Sequence, residues 1–350
     1  MWHGDAVDRF FQAQERLVTQ TSDFSMMTIA SMVEEGYIDP LVETRRRRRW
    51  DQARQSALIE SFLLNIPVPP LYFAQTEDFR YSIIDGSQRI YAIHSFMRGE
   101  LVLKSLQAFP ELNGSKIYDL PDAIVKSLHM RPHIRAVTLL NQSDPTLKYE
   151  VFVRLNKGGQ ALNNQEVRNI AFEGPLNDLL IRLSSAPFLR AQFKITDDSD
   201  RYRRMQDVEY VLRFIAFAAD GIPRQLPVSD FLDHFMMRHA NDKEDTLERY
   251  AADFRRALHG CQKIWGERAF QAKIGFARTV SGSVQLYDAQ MLAVAASAEI
   301  DVEKAASRRN EIIEATDEIT AHDPQFGLNQ ATSPKRLTYR VERIAQLIQG

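Results

Sequence analysis

At 350 residues the chain is long enough for about two domains, and its 44% apolar and 26% charged residues are ordinary for a soluble globular protein. Lys+Arg 44 against Asp+Glu 46 leaves a net charge of -2, so whole-chain charge demands neither nucleic acid nor an anionic membrane. The one cysteine, Cys261, excludes an intramolecular disulfide and a cysteine-rich zinc site, and fits a reducing compartment.

The N-terminal "MWHGDAVDRFFQ" mixes acids with its apolar residues and has no signal-peptide core. No apolar run approaches the roughly 18 residues that span a bilayer. The expectation is a cytoplasmic protein with no membrane partner. "DFSMMTIASMVEEG" reads as a helix with Ile29, Met32 and Val33 on one face and Gly36 as its stop. "QSALIESFLLN" is a second amphipathic run, ended by "IPVPP", where proline forces extended backbone. "LYFA" and "RYSII" read as a hairpin of strands, "DLPDAIVKSLH" as a helix, and "HIRAVTLL" and "YEVFVRL" as two more strands. Beyond about residue 160 the pattern turns helical. Val208, Val211, Leu212 and Ile215 recur at helical spacing, as do Leu247, Tyr250, Phe254 and Leu258. Ser333-Pro334 starts a final helix bearing Leu337, Val341 and Ile344 on one face. The fold class this predicts is α+β: a small mixed α/β domain over 1–175, then an all-helical domain over 176–350.

"RYSIIDGSQRIYAIHSFMRGE" carries the first candidate site. Asp-Gly between strands usually marks a hairpin, but Ile90, Ile93, Phe96 and Met97 follow helical spacing, so this turn joins strand to helix. Asp85 or Ser87 can cap that helix, and Gly86 lets the backbone turn sharply. A helix N-terminus has unpaired N–H groups and a positive dipole end, which attract an anion such as phosphate. Arg89 in the first turn is unfavourable against that dipole, which points to a partner, either a carboxylate or a ligand phosphate. Asp85 can hold a hydrated Mg2+ or orient a water. Structurally, the same residues need be no more than a turn, a cap and an ion pair.

"YEVFVRLNKGGQALNNQEVRNIAFEG" repeats the build. Arg154 and Asn156 end a strand, Gly158 and Gly159 make a basic turn, and Asn163 and Glu166 have capping-box spacing. A turn and a cap explain it as well as a second phosphate loop does.

Together "RWDQARQSALIESFLLNIPVPPLYF", "IIDGSQR" and "FVRLNKGGQALNNQEVRNIAF" resemble, in order and spacing, the ParB/sulfiredoxin-like N-terminal domain of GmrSD-type modification-dependent restriction enzymes. The family's Asp-Gly-Gln-Gln-Arg hallmark stands here as Asp85-Gly86-Ser87-Gln88-Arg89, departing only at the middle residue. The resemblance continues through "RRMQDVEYVLRFIAF". It implies a ParB/sulfiredoxin-like first domain that binds and hydrolyses a nucleoside triphosphate with Mg2+, in bacterial DNA-directed defence. Asp85, Gln88 and Arg89 would be catalytic. Gly86, Ser87, Arg154, Asn156, Gly158, Gly159, Gln165, Glu166 and Arg168 would line the nucleotide, with Asp85 and, as an outside candidate, Glu60 on the metal. Nuclease-bearing relatives append a His-Asn-His domain. "HDPQFGLNQ" near the end has neither the upstream partner nor the cysteine pairs, so a nuclease, if there is one, is expected on a partner protein or in a chemistry the sequence does not show.

Arg45, Arg46, Arg47, Arg48 and Arg49 form a run before Trp50. They read either as a DNA-phosphate strip with steep salt dependence or as a solvated segment paired to nearby acids. Trp50 reads as a packing anchor. The alternative function is a non-catalytic DNA-binding or assembly module working through this run. DNA, a nuclease or other defence protein, and a second copy of the chain are the partners considered.

Overall fold

The computed structural model describes residues 17–38, 50–76, 78–143, 163–274, 277–278, 282–328 and 333–350, and the isolated positions 7, 10, 11, 151 and 154. The chain divides between Asn163 and Asn164 into two units.

In the first unit β1 (Thr19–Ser25) leads into α1 (Met26–Glu34), followed by α2 (Gln52–Leu63), β2 (Leu71–Gln75) and β3 (Tyr81–Asp85). Next come α3 (Ser87–Met97), α4 (Asp122–Met130) and β4 (Pro132–Leu139). The sheet order is β1-β4-β2-β3, with β4 antiparallel to β1 and parallel to β2, and β2 antiparallel to β3. The helices start where short polar side chains satisfy their first N–H groups. Ser25 Oγ accepts from Thr28 N at 3.0 Å and Asp51 Oδ1 from Arg54 N at 2.8 Å. In β2, Leu71 and Phe73 are buried while Tyr72 and Ala74 are half-buried, the period-two pattern of a strand with one face on the core. There they meet Ile83 of β3, Ile134 and Ala136 of β4, and apolar side chains of all four helices in one cluster.

Two sequence readings change here. Strand β1 runs through Asp23, Phe24 and Ser25, so the first helix begins at Met26 and not within "DFS". Of the expected strand "YEVFVRL", the described positions are Val151 and Arg154, and both have helical backbone. β-branched and aromatic content is a weak prior that context overrides.

The second unit comprises α5 (Asn164–Ala171), α6 (Pro175–Ser184), α7 (Pro187–Phe193), α8 (Asp200–Arg203), α9 (Gln206–Asp220), α10 (Val228–His239) and α11 (Glu244–Trp265). A short antiparallel pair, β5 (Lys273–Ile274) and β6 (Ala277–Arg278), interrupts the helices, so the unit is mostly and not wholly helical. α12 (Val284–Ala296), α13 (Glu299–Ser307), α14 (Arg309–His322) and α15 (Pro334–Gln349) complete it. α12 is buried continuously from Leu286 to Val294, as a central helix must be. The burial includes Asp288, whose carboxylate takes a two-pronged ion pair from Arg213 of α9, with Nε to Oδ1 at 3.0 Å. Such a pair stabilises little against an apolar substitute, but removing one partner costs about 3–5 kcal/mol because a lone charge is left in the core. The contact division at 163/164 lies upstream of the expected 175/176 boundary, and α5 packs on α9 and α10.

Candidate functional site

Strand β3 ends at Asp85, and Gly86 takes φ 102°, ψ 10°, the left-handed conformation. Gly86, not Asp85 or Ser87, occupies the N-cap position of α3, and no side chain among the described residues caps that end. The first helical bond runs from Ile90 N to Gly86 O at 2.9 Å. Glycine is required here twice over. An L residue at this φ is strained, and a Cβ would sit 2.4 Å from Leu71 Cδ2 and 3.1 Å from Arg89 Nη2.

Helical side chains lean toward the N-terminus, so Arg89 folds back over this turn. Its Nη2 donates to Asp85 Oδ2 at 2.5 Å and to Pro70 O at 3.1 Å. Its Nε is buried and has no hydrogen-bond partner among the described residues. The Asp85 side chain is 39% exposed and that of Arg89 12%, so the carboxylate faces solvent while the guanidinium is held inside. The sequence-level conflict between Arg89 and the helix dipole is thus answered by a carboxylate, Asp85. An unsatisfied charged donor remains beside the uncapped helix end. That geometry can exchange the internal carboxylate for an external anion.

Gln88 points elsewhere. Its Oε1 accepts from Trp50 N at 2.8 Å, and Trp50 O accepts from Gln55 Nε2 at 2.8 Å. The Arg54 guanidinium lies 4.7 Å from the Trp50 ring centre. Trp50 is therefore the anchor of the segment entering α2, and Gln88 ties that segment to the head of α3. Sequence reading missed this pairing and the Pro70 carbonyl, because a backbone group leaves no mark in the choice of side chain. Ser87 is buried at the first helical position.

Glu60 is buried in α2, and its Oε1 accepts from Ala108 N at 2.6 Å and Phe109 N at 3.3 Å. The carboxylate thus braces the α3–α4 connection. Arg168 sits in α5 of the helical unit, 1% exposed, with Nε donating to Asp233 Oδ1 at 2.6 Å and Nη2 to Ser229 Oγ at 3.0 Å. Gln165 Oε1 accepts weakly from Arg168 Nη1 at 3.4 Å, and Gln165 and Glu166 are buried in the same helix. Arg154 is exposed. Asn156, Gly158, Gly159 and Arg45 through Arg49 lie outside the described residues.

A divalent ion at this place would need hard oxygen ligands, and Asp85 supplies one partly exposed carboxylate at the strand end. Mg2+ is commonly held by one or two carboxylates plus substrate phosphates, so the donor set fits. Among the described residues no cluster of three or more His, Cys, Asp or Glu side chains is placed to hold a metal alone. No helix there is long and apolar enough to cross a membrane.

Residues 31–172 match the family model described as the N-terminal domain of the GmrSD restriction endonuclease, a span that contains α2, the sheet from β2 to β4, α3 and α5. No curated protein matches the chain.

Proposed function

We infer, from residues 31–172 belonging to the N-terminal domain family of GmrSD restriction endonucleases, that the protein is a component of a restriction-like defence system and that its first unit binds and hydrolyses a nucleoside triphosphate. The observation that carries the nucleotide reading is Arg89. Its guanidinium is held over Gly86 at an uncapped helix N-terminus, paired to a partly exposed carboxylate, with Nε buried and unbonded. Backbone N–H groups of α3 and the helix dipole favour a phosphate there, and guanidinium binds phosphate oxygens through paired charged hydrogen bonds.

The free and bound states differ by one exchange of partners. Without ligand, Arg89 is neutralised by Asp85. With a triphosphate, Arg89 turns its donors to phosphate oxygens, and the freed Asp85 carboxylate would be able to hold a metal and orient the attacking water. Mg2+, when bound, supplies charge neutralisation of the phosphates. Hydrolysis forms a bond from water oxygen to the terminal phosphorus and breaks the bond to the bridging oxygen, and the water proton leaves with the products. Asp85 orients that water, and Arg89 stabilises charge gathering on the phosphoryl oxygens. Gln88 holds the Trp50 segment against the loop, and by chain connectivity Arg49 is one residue from that hydrogen bond. Arg45 to Arg49 directly precede Trp50 in sequence, and in this reading they supply a DNA contact. The nuclease of the system belongs, in this reading, to a partner.

Phosphate release is measured with the purified chain, Mg2+ and each nucleoside triphosphate, with and without DNA. Turnover that is lost in Asp85→Ala and Arg89→Ala supports the reading. A folded wild type that neither binds nor hydrolyses any triphosphate overturns it.

A further inference from the structure

The loop before β2 separates the Asp85–Arg89 turn from a cavity of about 490 Å3. Strand register puts them at the same end of the sheet. Tyr72 pairs with Asp85 on one side of β2, and Leu71 with Ala136 of β4 on the other. Pro70 is common to both places. Its carbonyl accepts from Arg89 Nη2, and the residue lines the cavity.

The walls are Phe62, Ile66, Pro67, Val68 and Ile134, of which Phe62 and Ile134 belong to the buried core and Ile66 is exposed. Apolar side chains of this kind can lie against an aromatic ring. Two polar features stand at the rim. Asn65 is held at φ 56° and is exposed at the cavity edge, where its side-chain amide offers one donor group and one acceptor. Arg135 gives Nε and Nη2 to the two oxygens of Asp23 at 3.0 and 3.2 Å, which leaves Nη1 outside that pair. Because Asp23 and Arg135 cancel each other, the cavity has no net charge to recruit a second phosphate. It suits a neutral planar group with adjacent donors and acceptors. The volume lies within the roughly 300–1,000 Å3 of ordinary small-molecule sites.

We propose that this cavity holds the nucleoside end of the triphosphate whose phosphates lie at the head of α3, with the Asn65 amide reading one edge of the base. The proposal rests on the nucleotide reading above. Pro70 then separates the two halves of the ligand and touches both.

Titration calorimetry on the full chain with Mg2+ compares inorganic triphosphate with each of the four common nucleoside triphosphates. The variants are Asn65→Gly, which keeps the left-handed backbone, Ile66→Trp at an exposed cavity wall, and Arg89→Ala. In the wild type one nucleotide should bind at least about tenfold more tightly than inorganic triphosphate, the scale of an amide paired to a base edge. Asn65→Gly and Ile66→Trp should erase that advantage while inorganic triphosphate still binds, and Arg89→Ala should weaken every ligand. Retention of the full nucleotide preference in both cavity variants, with binding lost in Arg89→Ala, places the base elsewhere and leaves the phosphate site standing. Equal binding of inorganic triphosphate and all nucleotides likewise overturns the cavity proposal alone. No binding of any triphosphate by the wild type removes both.

Discussion

Replacing Gly86 by alanine adds one methyl group at the point where strand β3 becomes helix α3. The backbone angle of 102° alone costs an L residue about 1–2 kcal/mol. The new Cβ would lie 2.4 Å from Leu71 Cδ2, and Leu71 is fully buried, so the clash cannot swing into solvent. Overpacking of this kind adds about 1–3 kcal/mol. The stiffer unfolded chain returns about 0.4–1 kcal/mol, which leaves a net loss of about 3 kcal/mol. Leu71→Ala alone should cost about 2–5 kcal/mol for its cavity. The double variant should then fall short of the summed losses by about 1–3 kcal/mol, because alanine at 71 vacates the space the new methyl needs. Hydrogen exchange read over residues 71–97 measures the opening free energy of this region without requiring the two units to unfold together. A Gly86→Ala loss below about 0.5 kcal/mol, or strict additivity with Leu71→Ala, would refute the reasoning that glycine is required at this turn.

Glu60→Gln keeps an acceptor for Ala108 N and Phe109 N and should leave both stability and any phosphate release near wild type, whereas Glu60→Ala should destabilise by about 1–3 kcal/mol. Loss of turnover in a stable Glu60→Gln protein would instead return this carboxylate to the metal. Burial, then the neighbouring Asp242 charge, pushes the Tyr250 hydroxyl up to about 12, and burial does the same to Tyr210. Between the ordinary value of 10.0 and about 12 the folded state keeps protons that the unfolded state loses. Stability therefore falls as pH rises through that window. Phenolate absorbance should show these tyrosines, with Tyr287, ionising later than the exposed ones; simultaneous ionisation of all 11 in the folded chain would contradict the burial.

What could be read from the chain followed from where its periodicities change. The switch from "YSII" to the spacing of Ile90, Ile93 and Phe96 located the strand–helix turn, and the dipole conflict at Arg89 foretold a partner. β1 escaped because "TQTSDFS" is mostly polar and exposed, with no alternation to betray a strand. Gln88 and Glu60 looked like chemistry because their side chains are chemically able. Their observed partners are the main-chain N–H groups of Trp50, Ala108 and Phe109, which sequence composition does not record. Arg168 was grouped with a glycine turn close to it in sequence, yet its charge is met by Asp233, 65 residues further on.

The last helix within the family-matched span, α5, carries a buried arginine whose carboxylate comes from α10. The border of the span that matches the family model and the border of the folding unit therefore do not coincide. A gene fragment cut after residue 172 would part a cation from its counter-ion and leave α5 without the helices it packs on. A cut after residue 163 leaves that pair together on the downstream side. Recombination between such genes would favour crossovers upstream of α5, so that this helix travels with the helical half.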